Sequence, residues 1–593
     1  MALILAALIG MASPVSAGTS AQQSADAATP LLGDALLPPQ PPSTASVATD
    51  PTPGLYQPSA FLAGKVAVRL IFVESNGHYE PSVKNWSPTQ LTDVQNQVSA
   101  ALSWWAAQLP NAHLQFDLTS QVVPSGYEPV LHGLSTESQW VGDAFTSMGI
   151  AASNYFDQAY AADEALRRER GADWAANIFV ANSAGTSDGR FADGHFAYAY
   201  INGPFMVITS DVGPYGIRQM APVVAHEFGH IFGALDQYAA AGVSCTQKSG
   251  YLSVPNTNSQ ANNCGTHFPS IMIEPLSAYS GNQVDQSAFG QLGYRDSDSD
   301  GIPDPLDTAP QLQIQLSQSS PGTRPLISGS AVDQAYASPA GELASINSIT
   351  RVEYRIDGGA WLALAPADGA YNTVAEQINA TMPLYNGQHA VELRAFNRIG
   401  AISPVVRYEN ISVSGVGDNP GYQITAPKVT NATTVNLTIA APAGSMIQLS
   451  ENAYFSGAAW AAAQPSASMQ IGATEGAHTI YARFRDPKGL ESAPFSVAVT
   501  LDRTPPIGRA LLKRDHGTLW LEIQAADGQT QVTAMQIDAA PSGSGVWQPF
   551  QAKIVVSLQS DTLFVRLRDE AGNASQPVQA LPASPIWLPV AAT

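Results

Sequence analysis

The chain has 593 residues, 45% hydrophobic and only 13% charged, with 48 glycines, 43 prolines and a formal net charge of −21. That length exceeds a single core and predicts roughly three to five domains, and the turn-rich composition suits extracellular β-rich modules. So acidic a chain excludes binding along a phosphate backbone, which needs clustered cations.

Leu3–Ala12 is a short apolar run followed by Val15-Ser16-Ala17, a small-x-small cleavage pattern. Residues 1–17 therefore read as a signal peptide and the protein as secreted. The run is too short to span a bilayer, and no other stretch reaches transmembrane length. Residues 18–54 are rich in alanine, serine, threonine and proline and cannot build a core, so they read as a disordered linker or short propeptide. They contain no cysteine that could block a metal.

Residues 55–295 alternate strand and helix signals. Val66–Val73 is an apolar run suited to a buried strand. Ser87-Pro88-Thr89-Gln90 is a capping box with proline at the first helical position. Leu91, Val94, Val98, Leu102, Trp105 and Leu109 follow at helical spacing. Leu114–Val123 predicts a strand, 143–170 a second long helix, and 176–180 and 205–209 further strands. His195, between these strands, reads as a surface or cleft residue.

The chemistry is concentrated in His226-Glu227-Phe228-Gly229-His230-Ile231-Phe232-Gly233-Ala234-Leu235-Asp236. Two histidines four apart on a helix share one face and can reach a single Zn2+. Glu227 between them points beside the metal, where it can take a proton from water. Gly233 accepts the left-handed backbone that turns the chain back. Asp236 then serves as third ligand and one position stays open, as a catalytic site requires. Glu274 and His267 are the other candidates for that third place. Cys245 and Cys264 are the only cysteines; in an oxidising compartment they pair, contributing about 3 kcal/mol by loop closure.

Asp296, Asp298, Asp300, Asp304 and Asp307 occupy positions 1, 3, 5, 9 and 12 of a loop with Gly301 at 6, and Ile302 offers its carbonyl at 7. That is the ligand schedule of a Ca2+ loop. The prolines exclude a following helix, so residues 296–308 resemble the helix-poor loops of thrombospondin type 3 repeats.

From about Gln311 the texture turns to alternating strands and turns. Residues 389–400, 478–489 and 561–572 align without gaps, at a repeat of about 85 residues. Each ends in a glycine with a serine three residues on (Ser403, Ser492, Ser575), and each follows a strand around Trp361, Trp460 or Trp547. Three β-sandwiches are expected, at 309–416, 417–503 and 504–583, before a tail at 584–593. They resemble bacterial immunoglobulin-like or fibronectin-type modules.

The zinc motif resembles the metzincin clan of metallopeptidases, in its HExxHxxGxxD form. The resemblance covers residues 55–295 and implies an α+β zincin-like domain, with a mixed twisted sheet and an active-site helix. It also implies a bacterial secreted endopeptidase acting on protein or peptide substrates. Ser270-Ile271-Met272 resembles the methionine turn beneath the metal, which gives Met272 that role. Tyr238 or Tyr279 would then supply a phenol to the oxyanion. The reading is a multidomain secreted zinc endopeptidase with no nucleic-acid partner and no membrane span. The alternative is a cell-surface adhesin or glycan-binding protein, with its ligand on the sandwiches and a degenerate protease domain.

Overall fold

The computed structural model describes residues 35–40, 50–261, 264–542, 545–557 and 562–582; the expected signal peptide and C-terminal tail lie outside them. The chain forms two compact units. The first holds Pro53–Pro303, Ser338–Glu342 and an N-terminal strand; the second holds Asp304–Ala337 and the chain from Leu343.

The first unit is built on a six-stranded mixed sheet. In chain order its strands are β1 (Ala35–Leu36), β2 (Lys65–Ser75), β3 (Gln115–Ser125), β4 (Trp174–Ala181), β5 (Ala197–Tyr200) and β6 (Phe205–Thr209), arranged β1-β5-β6-β4-β2-β3. β3, β2, β4 and β6 run parallel. β5 is antiparallel to β6, and β1 is parallel to β5. β4, β5 and β6 are buried at every residue, as strands covered on both faces must be.

Six helices accompany the sheet: α1 (Pro88–Gln108), α2 (Glu137–Ser147), α3 (Tyr155–Arg170), α4 (Met220–Ile231), α5 (Pro275–Gly281) and α6 (Gln286–Gln291). Ser87 and Gln90 cap α1 reciprocally, as their spacing predicts. The single helix expected over 143–170 is instead two. α2 ends at Ser147 with Met148 as its C-cap, Gly149 takes φ 79°, and Asn154 caps α3 by accepting from the Phe156 and Asp157 amides. Helical periodicity on both sides masked a glycine stop and an asparagine start. α2 and α3 cover the sheet face bearing Ile71, Val73, Phe179 and Phe205. α4 approaches the opposite face, where Phe228 meets Phe116 edge-on.

The region expected to be structureless before residue 55 also differs. Ala35 and Leu36 form β1, and Leu36 packs against the sheet cluster that includes Tyr198 and Tyr200. A low-complexity composition cannot make a core, but it can lend two backbone residues to a sheet edge.

The second unit contains three two-sheet modules. In the first, Pro310–Ser317, Leu326–Asp333 and Ala375–Thr381 face Ile349–Ile356, Leu362–Leu364, Gly387–Asn397 and Val406–Val413. The second spans Gln423–Thr425 to Phe495–Leu501, and the third Ile507–Asp515 to Leu581–Pro582. Each has its own apolar core. The repeated serines act alike in all three. Ser403, Ser492 and Ser575 each accept at Oγ from the amide of Ala395, Phe484 or Leu567 (2.9, 3.1 and 2.9 Å) and return their own amide to that residue's carbonyl. In each module an arginine lies over the tryptophan, though not from one repeated position: Arg394 over Trp361, Arg485 over Trp460 and Arg568 over Trp547, at 4.1, 4.1 and 3.8 Å.

Trp105 joins α1 to α4: it is fully buried, and its Nε1 donates to the Ala225 carbonyl at 2.9 Å. Trp105→Ala should cost about 3–5 kcal/mol, read as an earlier first-unit transition in urea with the modules unmoved. Trp105→Phe should recover most of it. An unshifted first transition in the alanine variant would show that α4 does not depend on this contact.

Candidate metal centre

α4 is buried along its whole length, an expensive place for two histidines unless their nitrogens are occupied. Both Nδ1 atoms are: His226 Nδ1 donates to the Ile271 carbonyl at 2.8 Å and His230 Nδ1 to the Ala234 carbonyl at 2.7 Å. A carbonyl oxygen only accepts, so each Nδ1 carries a proton and each ring turns its Nε2 inward. Those two Nε2 atoms are 3.2 Å apart. Asp236 Oδ1 lies 3.1 Å from the first and 3.3 Å from the second. All three residues are essentially buried.

Three lone pairs thus face one another in a dry site. Burial opposes charging of His230, yet the Asp236 carboxylate and the Ala234 carbonyl outweigh it and raise its pKa. Burial would likewise raise Asp236, but His230 and His226 hold it well below the ordinary carboxylate range. The donor set fits Zn2+. Tetrahedral bonds of about 2.0–2.1 Å place ligand atoms about 3.3 Å apart, close to the three spacings seen here.

The turn that delivers Asp236 depends on Gly233, whose φ is 94°. A Cβ there would meet Asn202 Oδ1 at 2.7 Å and the Gly250 Cα at 2.8 Å, so the site admits only glycine. Met272 is fully buried, and its Sδ would lie 3.1 Å from a Cβ on Gly229, between the two histidines. Its carbonyl accepts the Gln237 amide at 2.9 Å. The Ser270–Met272 turn therefore holds both the His226 ring and the segment bearing Asp236.

Of the two tyrosines expected at the oxyanion, Tyr238 is the one beside the site, its ring centroid 6.4 Å from that of His226. Tyr279 stacks on Trp104 at 5.3 Å and accepts the Trp104 indole at its carbonyl; its role is packing. Glu274 caps α5, accepting from the Leu276 and Ser277 amides, and His267 is exposed, so neither replaces Asp236. His195 pairs with Asp193 at 3.1 Å, half-exposed. Glu227 is fully buried beside His226 on α4.

A polar frame that no sequence spacing announces surrounds these residues. Asn256 Nδ2 donates to the Asp236 carbonyl at 2.8 Å and Asn258 Nδ2 to Gln237 Oε1 at 3.1 Å. Gln237 Nε2 and Ser270 Oγ both donate to Asp285 Oδ2, and Gln291 Oε1 accepts the Leu235 amide. Asn256 and Asn258 sit in the loop closed by the Cys245–Cys264 disulfide, around a two-stranded ribbon of β7 (Lys248–Ser249) and β8 (Val254–Pro255).

The acidic loop is only partly gathered. Asp296, Asp298 and Asp300 come together, all exposed, and accept backbone amides of the loop, including Ile302 N at Asp300. Asp304 and Asp307 fall in the second unit; there Asp304 is buried, accepts from Tyr336, and receives the Asp307 amide at its carbonyl. Of the six expected positions, Asp296, Asp298, Asp300 and Ile302 lie in the first unit and Asp304 and Asp307 in the second. Among the described residues no helix is long and apolar enough to cross a membrane.

No family model and no curated protein matches the chain. Among solved structures, the fibronectin(III)-like modules of Clostridium thermocellum CbhA are 14% identical, covering 27% of this chain and 93% of that one at a TM-score of 0.20. The FN1–FN3 domains of chicken CNTN1 are 10% identical over 46% and 97%, at 0.19. A tetra-tandem repeat from the extending region of a large adhesion protein is 18% identical over 47% and 74%, at 0.13. The two-sheet fold of the C-terminal modules rests on their own strand pairings.

Asp236→Ala should lower Zn2+ affinity by more than about 100-fold, the upper cost of losing even an outer partner of a ligand. Glu274→Ala and His267→Ala should leave it unchanged. Competition with a chromogenic chelator measures all three, and loss of metal in the Glu274 variant would reassign the third ligand.

Proposed function

We propose that the protein is a secreted zinc-dependent endopeptidase. The observation that carries this reading is the triangle of His226 Nε2, His230 Nε2 and Asp236 Oδ1, with spacings of 3.1–3.3 Å and a buried carboxyl group one residue away on the same helix. Bound there, Zn2+ supplies a Lewis acid that polarises a peptide carbonyl and makes water acidic enough to deprotonate near neutral pH. Glu227 accepts the proton from the attacking water and returns it to the departing nitrogen. The carbonyls of Ile271 and Ala234 hold both imidazoles in the one tautomer that leaves Nε2 free. Tyr238, with its ring 6.4 Å from that of His226, would donate to the developing oxyanion.

The second reading is a cell-surface adhesin or glycan-binding protein with a degenerate first domain. The similar solved structures named above are module arrays, one from a large adhesion protein, and they sit more easily with this reading than with a peptidase. The two readings part at Glu227. Glu227→Ala should abolish hydrolysis of an unfolded protein substrate while retaining about one Zn2+ per chain, since the residue moves a proton and is not a ligand. Metal-loaded wild type that hydrolyses no more than this variant would leave the binding reading in possession.

The carboxylates of Asp296, Asp298 and Asp300 are proposed to hold Ca2+ and stiffen the passage from the first unit to the second. Three like charges this close repel without a cation. Removal of calcium by a selective chelator should make the chain near Ile302 protease-sensitive and release the N-terminal unit as a fragment sized by mass spectrometry. The same cleavage pattern with and without calcium would reduce the loop to an acidic linker.

A further inference from the structure

We propose that the cavity between the first and second two-sheet modules binds a uronic acid residue of an acidic glycan. This deepens the glycan-binding reading, rests on it, and does not involve the metal centre. The cavity holds about 350 Å³, room for one sugar ring, and its walls come from both modules. Tyr354, Leu364 and Met382 line it from the first, and Tyr454, Phe455 and Leu490 from the second. An aromatic and apolar pocket with a few converging polar groups is the usual form of a small-ligand site.

Two arginines enter this cavity. Arg483 is answered by Glu491 at 3.1 Å and lies over the Phe455 ring at 4.9 Å. Arg324 donates from Nε and Nη1 to the carbonyls of Leu384 and Glu491, at 2.6 and 2.8 Å, and lies over Tyr385 at 5.4 Å. No carboxylate among the described residues pairs with it; those of Asp486 and Glu491 act on it from farther away. Glu491 moreover already serves Arg483 and Arg485. Burial disfavours the Arg324 charge, so in a chain of net charge −21 this pocket is short of an anion. The Tyr354 phenol feels both guanidiniums, so a hydroxyl lies near both cations.

A carboxylate meets a guanidinium best through paired hydrogen bonds, and Arg324 keeps donors to spare. The rest of the lining selects what carries that carboxylate. Tyr454 and Phe455 offer ring surface to an apolar C–H face, whereas Glu491 and the Tyr354 phenol offer partners to hydroxyl groups. An aliphatic acid would bury those polar groups unpaired; a uronate satisfies both kinds of wall. The backbone holds the site in place. Phe455 keeps φ at 59°, a conformation that an aromatic residue adopts only where its surroundings impose it. Tyr454 meets Tyr371 of the first module edge-on at 6.0 Å.

The test titrates the full chain with glucuronate, followed by saturation-transfer NMR and calorimetry. Two probes run beside it: glucose, which has the ring without the charge, and N-acetylglutamate amide, which carries the charge on a peptide. Glucuronate should bind with its ring protons saturated from the aromatic wall, and both other probes about tenfold or more weakly. Arg324→Gln should weaken glucuronate about ten- to a hundredfold and leave glucose unchanged. Because Arg324 also bridges the two modules, Ala453→Trp is the second variant. It fills the cavity with both arginines in place and should abolish binding. Wild type that takes no glucuronate, or glucose as tightly as glucuronate, would overturn the proposal. Tighter binding of the glutamate probe would assign the pocket to an acidic peptide and overturn it too. Unchanged glucuronate affinity in both variants would overturn this site while leaving the glycan-binding reading standing.

Discussion

Three lone pairs pointing at one another inside a dry helix-and-sheet layer are the constraint on which the first unit depends. Such a cluster is repulsive unless a proton or a cation sits within it, and the repulsion grows as water is excluded. Much of the surrounding architecture keeps the three atoms from moving apart. Two carbonyls hold the imidazole tautomers, Gly233 turns the chain, and Asn256 grips the carbonyl of Asp236 itself. A metal ion bound there would meet ligands that need no rearrangement to receive it.

The frame around that cluster is polar where a core would ordinarily be apolar. Gln237, Asn256 and Gln291 are fully buried, and each has a hydrogen-bonding partner on a segment distant in the chain. A buried network of this kind is costly if any member is left unsatisfied, so it selects a single arrangement of the 234–238 segment. The Cys245–Cys264 disulfide closes the loop that supplies Asn256 and Asn258. Its effect on the site is thus indirect: restricting that loop in the unfolded chain lowers the entropy lost when the asparagines are placed.

The C-terminal half follows different physics. Each module repeats one solution to the end of a hairpin, a serine that both accepts from and donates to the strand residue eight positions earlier. Beside it an arginine lies across a half-buried tryptophan and covers aromatic surface with its guanidinium. These contacts are local, so each module holds itself together around its own core.

Residues close in sequence were legible without coordinates. The four-residue spacing of His226 and His230, the capping box at Ser87, the repeated serines and the two cysteines all follow from helix pitch, hairpin geometry or simple scarcity. Tertiary structure alone decided what lies far apart in the chain. Nothing in residues 31–40 marks a strand, because β1 is held by the backbone of β5 and by Asp236, some 200 residues on. Only the tertiary structure stacks Tyr279 on Trp104 and sets Tyr238 beside His226. The aspartate spacing of the acidic loop is plain in the sequence, but not that a boundary between compact units falls between Pro303 and Asp304. Local periodicity records what one element needs of itself, whereas an edge, a stacking partner or a domain boundary is settled only when distant segments compete for the same space.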